Sequence, residues 1–139
     1  MKYSTRTRYG LRLLVYMALK KDDGFIQLRE VEKHEGVSLR YLEQIVRLLK
    51  PSGVLISSRG KYGGYRLSRS PDEIWLSDVV GYLEGDLAPV SCLSPGHECS
   101  RRVDCPTLPM WQELQEVITG FLRGKSLADL AHQYRVHVE

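Results

Sequence analysis

The chain has 139 residues, of which 42% are hydrophobic, and a formal net charge of +3. This length suits one compact domain with a small additional element, and no apolar run is long enough to cross a bilayer. The basic and apolar N-terminus superficially resembles a secretion signal, but Arg12 interrupts it and no small-residue cleavage site follows. We therefore predict a cytoplasmic protein, in keeping with the odd number of three cysteines.

Charge is distributed unevenly along the chain. Residues 1–70 contain 15 Lys or Arg against 6 Asp or Glu, whereas residues 71–139 contain 5 against 11. A basic half of this kind is typical of a surface that binds a polyanion, although it could also serve solubility alone.

The hydrophobic periodicity of the first half predicts three helices. The first should run from an N-cap at Ser4 or Thr5 to about Lys20. The second should end at Gly36, and the third should follow an N-cap at Ser38. Their apolar faces should be Leu28, Val31 and His34 in the second helix and Leu42, Ile45, Val46 and Leu49 in the third. Two short helices joined by a tight, glycine-containing turn form the helix-turn-helix pattern.

A β-hairpin is predicted directly after these helices. The segment "VLISSRG" alternates apolar and polar residues, "KYGG" is a turn, and "YRLS" returns as a second strand. A hairpin in this position is a wing, so the predicted fold class is mainly α with a small β-wing, a winged helix-turn-helix domain.

The second half should contain a helix from about Ser77 to Glu84, a cysteine-containing loop, a longer helix and a short capped helix, "SLADLAHQYR". Apolar contacts of the first of these helices should come from Trp75, Leu76, Val79, Val80 and Leu83. The longer helix carries a broad apolar stripe formed by Met110, Trp111, Leu114, Val117, Ile118, Phe121 and Leu122. That stripe is unusually apolar for a helix outside a small DNA-binding domain.

The second helix of a helix-turn-helix places its N-terminal residues against base edges in the major groove. Here the polar residues at that position are Ser38, Arg40, Tyr41, Glu43 and Gln44. Gln44 can pair with adenine, Arg40 with guanine or a phosphate, and Glu43 can accept from cytosine. Each residue alone could be part of a solvated helix face, but together they predict binding to double-stranded DNA.

The wing supplies a second set of candidate DNA contacts. Arg59, Lys61 and Arg66 surround a glycine-rich tip, and an arginine there suits the narrow minor groove. Gly63 and Gly64 allow the backbone to turn and approach the phosphates. Further phosphate contacts could come from the first helix through Lys2, Arg6 and Arg8.

The cysteines Cys92, Cys99 and Cys105 lie together in one polar loop. They leave several alternatives open: unremarkable reduced thiols, a redox disulfide with one thiol left over, zinc completed by His97, or an iron–sulfur cluster. Zinc-ribbon spacing is absent because there is no C-x-x-C pair. A thiol oxidoreductase or zinc hydrolase is the alternative from another class, but no orienting base for a catalytic cysteine is evident, so no enzyme is predicted.

The sequence resembles bacterial iron–sulfur winged-helix repressors of the IscR and NsrR kind. The resemblance rests on "YGLRLLVYMAL", "GVSLRYLEQIVRLLKPSGVLISSRGKYGGYRL", "IWLSDVVGYLEG" and the three-cysteine loop followed by "MWQEL". It implies a homodimer joined through the long helix, a palindromic operator, and major-groove recognition by Ser38–Gln44 with Arg59 in the minor groove. One departure is in the wing, where Lys61 and Tyr62 replace a common Pro-Gly pair.

The resemblance also implies a domain division and a cofactor. Residues 1–85 would bind DNA, residues 86–106 would hold the cluster, and residues 107–139 would form the dimerisation helix and a short C-terminal helix. The cofactor would be an iron–sulfur cluster, most simply 2Fe–2S, on Cys92, Cys99 and Cys105, with zinc as the alternative metal. Cluster-assembly proteins would be additional partners.

The fourth ligand of such a cluster is not assigned by the resemblance. The IscR branch uses a histidine three residues past the last cysteine, where this chain has Leu108. The nitric-oxide-sensing branch uses an acidic residue near the N-terminus, where this chain has Arg8. His97 and Asp104 are the candidates within the loop, and a residue or small molecule from elsewhere is the remaining alternative.

Overall fold

Six α-helices and one two-stranded antiparallel sheet make up the computed structural model, which describes residues 2–20 and 22–138. The elements are α1 (Thr5–Leu19), α2 (Leu28–Glu35), α3 (Leu39–Leu49), β1 (Leu55–Ser58), β2 (Gly64–Leu67), α4 (Leu76–Glu84), α5 (Leu108–Arg123) and α6 (Leu127–Val138). The predicted fold class, mainly α with a small wing, is confirmed. Met1 and Glu139, the outer ends of the predicted domains, lie outside the described residues.

The predicted helix boundaries follow from local capping. The Ser4 side chain accepts a hydrogen bond from the Thr7 amide and begins α1. The Ser38 side chain accepts from the Tyr41 amide and begins α3, while α2 ends at Gly36. Such caps satisfy backbone donors that have no partner inside the helix, and for this reason they mark helix starts reliably.

The core is built around α1, which packs against α2, α3, α4 and α6. Leu13, Leu14 and Met17 of α1 are almost completely buried. The predicted apolar stripe of α3 is buried throughout, in Leu42, Ile45, Val46 and Leu49. This arrangement leaves the opposite, polar face of α3 directed away from the core.

Two residues assigned to apolar faces lie at the surface instead. The His34 side chain is 57% exposed, and its ring lies 4.8 Å from that of Tyr16. Successive steps of three residues, from Leu28 through Val31, drift around a helix of 3.6 residues per turn and carry position 34 off the buried face. Trp75 is 42% exposed because it precedes the first residue of α4, where helical periodicity does not set the direction of a side chain.

The C-terminal helix is longer than predicted and returns to the core. Ser126 and Asp129 cap its start reciprocally, with backbone-to-side-chain bonds of 2.9 and 3.1 Å. Leu127 and Ala131 are buried, and α6 packs against α1. The helix therefore contributes to the same core as the N-terminal helices.

Helix α5 leaves much of its apolar surface uncovered. Of its residues only Leu122 is buried, whereas Met110, Val117 and Phe121 are 49%, 62% and 61% exposed. These three residues and the half-exposed Leu114 follow one another at spacings of three or four residues, on one side of the helix. We call Met110, Leu114, Val117 and Phe121 the α5 stripe.

A carboxylate joins the start of α1 to the end of α4. Glu84 accepts hydrogen bonds from the Ser4 amide at 2.9 Å and the Ser4 hydroxyl at 2.8 Å, and also from the Thr7 hydroxyl. Beside it, the Arg6 guanidinium donates to the Leu83 carbonyl oxygen at 2.7 Å. The chain enters the cysteine loop immediately afterwards, so the start of that loop is fixed to α1.

The Glu84 contacts predict a pH-dependent contribution to stability. Burial alone raises the pKa of the Glu84 carboxyl. Hydrogen bonds from Thr7 and Ser4, together with the charge of Arg6, have the opposite and larger effect, so the pKa lies below its ordinary value. A depressed folded-state pKa stabilises the fold above the unfolded pKa, and this stabilisation is lost as pH falls through the folded pKa. Glu84→Gln should therefore lower the free energy of unfolding by about 1–3 kcal/mol at neutral pH.

Urea denaturation at pH 7 and at decreasing pH checks this expectation. The difference between the wild type and Glu84→Gln should shrink in acid, because the protonated carboxyl then resembles the amide. Glu113→Gln, at an exposed position of α5, is the matched control and should change little. An equal loss at every pH would assign the effect to packing instead of charge.

Candidate nucleic-acid interface and cysteine loop

Most of the predicted base-contacting residues share the exposed face of α3. Ser38, Arg40, Glu43 and Gln44 are all exposed, at the N-terminal end of the helix. The buried stripe on the other side of α3 fixes their direction. The structure thus brings these four side chains together on one exposed surface of α3.

Tyr41 differs from its neighbours because its ring takes part in packing. It is half-buried and meets the ring of Tyr9 edge-on, with centroids 5.9 Å apart. Arg47, which was not among the predicted contact residues, is exposed one turn beyond Glu43 and Gln44. The spacing of three or four residues along the polar face would have identified it.

The wing presents basic residues at its tip. Strands β1 and β2 pair antiparallel, with Ile56 opposite Arg66 and Ser58 opposite Gly64. Arg59 and Lys61 are exposed between the strands. Gly63 is buried there, and a Cβ atom at this position would lie 2.2 Å from the Ser58 carbonyl oxygen. Its role in the structure is therefore a close backbone approach within the turn.

The wing is attached to the segment that leads into α2. Ile26 and Tyr65 exchange two backbone hydrogen bonds of 2.8 Å, and the Gln27 side-chain amide donates to the Lys61 carbonyl oxygen at 3.0 Å. These contacts hold the wing tip at a fixed position relative to the helix-turn-helix. Nothing in the sequence pattern singled out Gln27, because its partner is a backbone atom 34 residues away.

An open cleft of about 340 Å³ lies between the helix-turn-helix and the wing. It is lined by Arg29 from the start of α2, Leu39 and Glu43 from α3, and Gly60 and Gly63 from the wing, among others. The two elements predicted to contact DNA are therefore adjacent in space. The helix-turn-helix and the wing could therefore contact a DNA groove and the phosphate backbone from the same side of the molecule.

The cysteine loop connects α4 to α5. Cys92, Cys99 and Cys105 are all half-exposed and carry free thiols. Arg102 donates to the Cys92 carbonyl oxygen at 2.9 Å and so links the two ends of the loop. Of the candidate fourth ligands, His97 is exposed, and Asp104 lies 3.4 Å from the Arg101 guanidinium.

Cys105 occupies a distinct environment at the beginning of α5. Its sulfur lies 3.6 Å from the Thr107 hydroxyl oxygen. Hydrogen bonds from the Thr107 side chain and backbone, followed by weaker contributions from Leu108 and Arg101, lower the pKa of this thiol below its ordinary value. The thiolate is the form that binds metals and reacts with oxidants.

The donor chemistry of the loop fits an iron–sulfur centre, but its conformation does not assemble one. Three thiols in one accessible loop, with none bonded to another, supply the ligand type that iron–sulfur clusters use. Within residues 2–20 and 22–138, however, no three His, Cys, Asp or Glu side chains are grouped closely enough to hold a metal ion. The loop must change its conformation for the three sulfurs to share one site.

The chain has extensive similarity to known proteins. Residues 3–133 match the model of the Rrf2 family, described as an iron-dependent transcriptional regulator. Over 130 residues the chain is 35% identical to the protein rrf2 of Nitratidesulfovibrio vulgaris, covering 94% of this chain and 87% of that protein. It is 34% identical to the HTH-type transcriptional regulator IscR of Aliivibrio salmonicida, with 94% and 77% covered.

A solved structure is similar over nearly its whole length. The structure of CymR, described as the global cysteine regulator of B. subtilis, superposes with a TM-score of 0.78 at 33% identity, covering 96% of this chain and 98% of that chain. Of these relatives, IscR and CymR carry the names of regulators. In the part of the chain that the structure describes, no helix has the length and apolar character needed to span a membrane.

Proposed function

The chain belongs to the Rrf2 family of transcriptional regulators, and from this premise we propose that it is a cytoplasmic homodimer whose operator binding is controlled by an iron–sulfur cluster on Cys92, Cys99 and Cys105. The observation that carries the proposal is the position of the cysteine loop. It is fixed to α1 through Glu84 and runs directly into α5. A change in the loop therefore acts between the DNA-binding elements and the helix proposed to join two subunits.

DNA recognition is assigned to two sets of residues. Ser38, Arg40, Tyr41, Glu43 and Gln44 would read the major groove, and Arg59 and Lys61 would contact the minor groove and its phosphates from the turn that the buried Gly63 shapes. The exposed face of α3 and the cleft that α3 and the wing line together support this assignment, because both elements lie on the same side of the molecule. Two copies related by a two-fold axis would read a palindromic operator.

Loading of the cluster is proposed to change the order of the loop. When bound, an iron–sulfur cluster supplies a redox-active and oxidant-sensitive group whose potential depends on charge, hydrogen bonds and exposure. Hydrogen bonds from Thr107 and, as a smaller contribution, the charge of Arg101 lower the pKa of the Cys105 thiol. Cys105, at the start of α5, would transmit the rearrangement to that helix. Cluster and DNA are coupled only if each binds one of the two loop arrangements more tightly than the other.

Anaerobic purification followed by absorption spectroscopy and quantification of iron, sulfide and zinc tests the cofactor. We expect visible charge-transfer bands with iron and sulfide in the wild type, and none in the variant with all three cysteines changed to serine. Operator affinity should differ about 5- to 150-fold between loaded and empty protein, and the serine variant should lose this difference while keeping its fold. Colourless wild-type protein without iron would contradict the proposal.

The fourth ligand can be sought in the same experiment. His97→Ala and Asp104→Ala are matched single changes within the loop. Loss of the cluster bands in one variant but not in the other would assign the ligand, and the remaining variant serves as the control.

A thiol-based or zinc-containing regulator is the second candidate. It is favoured by the similarity to CymR, which is described as a cysteine regulator. Zinc without iron would support the metal version. An oxidant-dependent disulfide, detected by mass spectrometry in protein that lacks both metals, would support the redox version.

Two single changes separate base recognition from phosphate contact. Gln44→Ala should weaken binding to an operator selected from random-sequence DNA by about 5- to 150-fold, with little change on nonspecific DNA. Lys61→Ala should weaken both DNAs similarly and reduce the slope of log affinity against log salt by about one. Fluorescence anisotropy over a range of salt concentrations measures both effects, and identical behaviour of the two variants would contradict the assignment.

A further inference from the structure

The tip of the wing is a tight turn whose two central residues are Lys61 and Tyr62. The Gly63 amide closes this turn by donating to the Gly60 carbonyl oxygen at 3.1 Å. The Tyr62 side chain is 84% exposed, more than any other aromatic side chain in the part of the chain that the structure describes. A ring left this far outside the fold contributes little to its stability, and both faces of the ring are available to a partner.

The surroundings of Tyr62 favour a polyanion as that partner. The segment 55–69 contains no acidic residue. Its basic residues are Arg59, Lys61, Arg66 and Arg69. The Lys61 ammonium lies 5.6 Å from the centre of the Tyr62 ring, so a positive charge accompanies the ring into any contact. Double-stranded DNA offers phosphates to the cations and sugars and bases to the ring.

The turn that carries Tyr62 is held in place on both sides. Gln27 donates to the Lys61 carbonyl oxygen at 3.0 Å, immediately before Tyr62 in the chain. Gly63, the next residue, lies so close to the Ser58 carbonyl oxygen that no side chain fits there. Because the backbone is fixed before and after Tyr62, the ring is presented to a partner with little further loss of conformational freedom on binding.

The minor groove of DNA suits a tyrosine ring on chemical grounds. The groove is about 6 Å wide, and its walls are sugars whose C–H groups pack against an aromatic face. On its floor an A·T pair presents only acceptors, adenine N3 and thymine O2, to which a phenol hydroxyl can donate. A G·C pair adds the guanine N2 amino group, a donor that occupies the space the ring would use. A tyrosine in this groove therefore favours A·T pairs.

We propose that Tyr62 enters the minor groove beside Arg59 and selects A·T pairs at the operator position that faces the wing tip. The inference rests on the proposed binding of DNA by α3 and the wing, and it adds a residue that reads bases. Arg59 responds to the width of the groove, whereas Tyr62 responds to the chemical groups on its floor. The wing thereby contributes to the choice of sequence as well as to affinity.

Base pairs altered only in the minor groove provide the test. An operator is selected from random-sequence DNA, and hydroxyl-radical footprinting locates the minor-groove position that the wing protects. Replacing adenine there by 2,6-diaminopurine adds the N2 amino group of guanine and leaves the major-groove edge unchanged. We expect the wild type to bind the modified operator about 5- to 150-fold more weakly than the unmodified one. Tyr62→Ala should lose most of this discrimination, because the group that meets the added amino group is gone.

Further variants separate the ring from its hydroxyl and from charge. Tyr62→Phe keeps the ring and removes the donor, so its affinity for the unmodified operator should lie between those of the wild type and Tyr62→Ala. Neither variant removes a charge, so the slope of log affinity against log salt should stay unchanged, unlike in Lys61→Ala. Tyr82→Ala, at a tyrosine of α4 that is 46% exposed, is the control and should bind both operators like the wild type. Circular dichroism verifies that each variant is folded.

Three results would overturn the inference. Wild-type affinity of Tyr62→Ala for the unmodified operator would show that the ring does not contact DNA, and would direct attention to a protein partner at the wing tip. Equal discrimination against diaminopurine by the wild type and Tyr62→Ala would assign the effect to groove width and Arg59. A selected operator without a preference for A·T at the protected position would remove base selection. All three leave the proposed function standing, whereas a wild type that binds no DNA specifically would remove both.

Discussion

Replacement of Gly64 by alanine should detach the wing and reduce operator affinity by at least about tenfold, because the DNA contacts proposed for Arg59 and Lys61 depend on the position of the wing. Gly64 has a φ of +140°, which L side chains rarely adopt. A Cβ atom there would also lie 2.3 Å from the Ile26 carbonyl oxygen, which is backbone and cannot move aside alone. Ile26 and Tyr65 would have to separate, breaking both of their backbone bonds.

The same change should lower the free energy of unfolding by about 2–4 kcal/mol, since strain and lost hydrogen bonds combine. Gly81→Ala is the matched control. Gly81 lies within α4 with nothing near its prospective Cβ atom, so alanine should stabilise the helix by up to about 1 kcal/mol. Operator titration and urea denaturation of both variants provide the measurements. Wild-type affinity in Gly64→Ala would show that DNA binding does not require the wing in this position.

Leu83→Ala should destabilise the protein by about 2–5 kcal/mol, the range for a leucine removed from a packed core. Leu83 is a residue of α4 that is 1% exposed, and its side chain packs against α1. There it faces Gly10, where a Cβ atom would lie 2.6 Å from the Leu83 Cδ1 atom. The absence of a side chain at residue 10 thus allows the two helices to pack closely around Leu83.

This contact predicts a change of sign in a double-mutant cycle. Gly10→Ala in the wild type should cost about 1 kcal/mol or more, because crowding outweighs the better helix propensity of alanine. In the Leu83→Ala background the same change should stabilise, since the new methyl group enters the cavity. Chemical denaturation of the four proteins measures the coupling energy. Equal effects of Gly10→Ala in both backgrounds would contradict the packing described.

Features that depend on neighbouring residues could be predicted from the sequence. Ser4, Ser38 and Gly36 mark helix ends through caps that involve the adjacent turn, and the α3 stripe repeats at the helical period. The turn between β1 and β2 has the glycines that such turns require. These elements were confirmed because their determinants lie within one helix turn or one hairpin.

Features that depend on distant partners could not be predicted. The return of α6 to α1 has no signature in its sequence, since an apolar face does not specify what it covers. Glu84 is an ordinary helical residue until Ser4 and Thr7 are placed beside it. For the same reason the three cysteines, although adjacent in sequence, do not predict a geometry. The positions of their sulfurs depend on a loop held by few tertiary contacts.

The attachment of the wing through Ile26 and Gln27 restricts how a signal can alter DNA binding. Because the wing tip is joined to the segment preceding α2, each subunit of the proposed homodimer would present the wing and α3 to its half-site in one fixed arrangement. The proposed rearrangement of the cysteine loop would then change the spacing and rotation of the two DNA-binding surfaces relative to each other along the double helix. The loaded and empty proteins should consequently be distinguished by the length of the spacer between half-sites, and not by the base sequence within them.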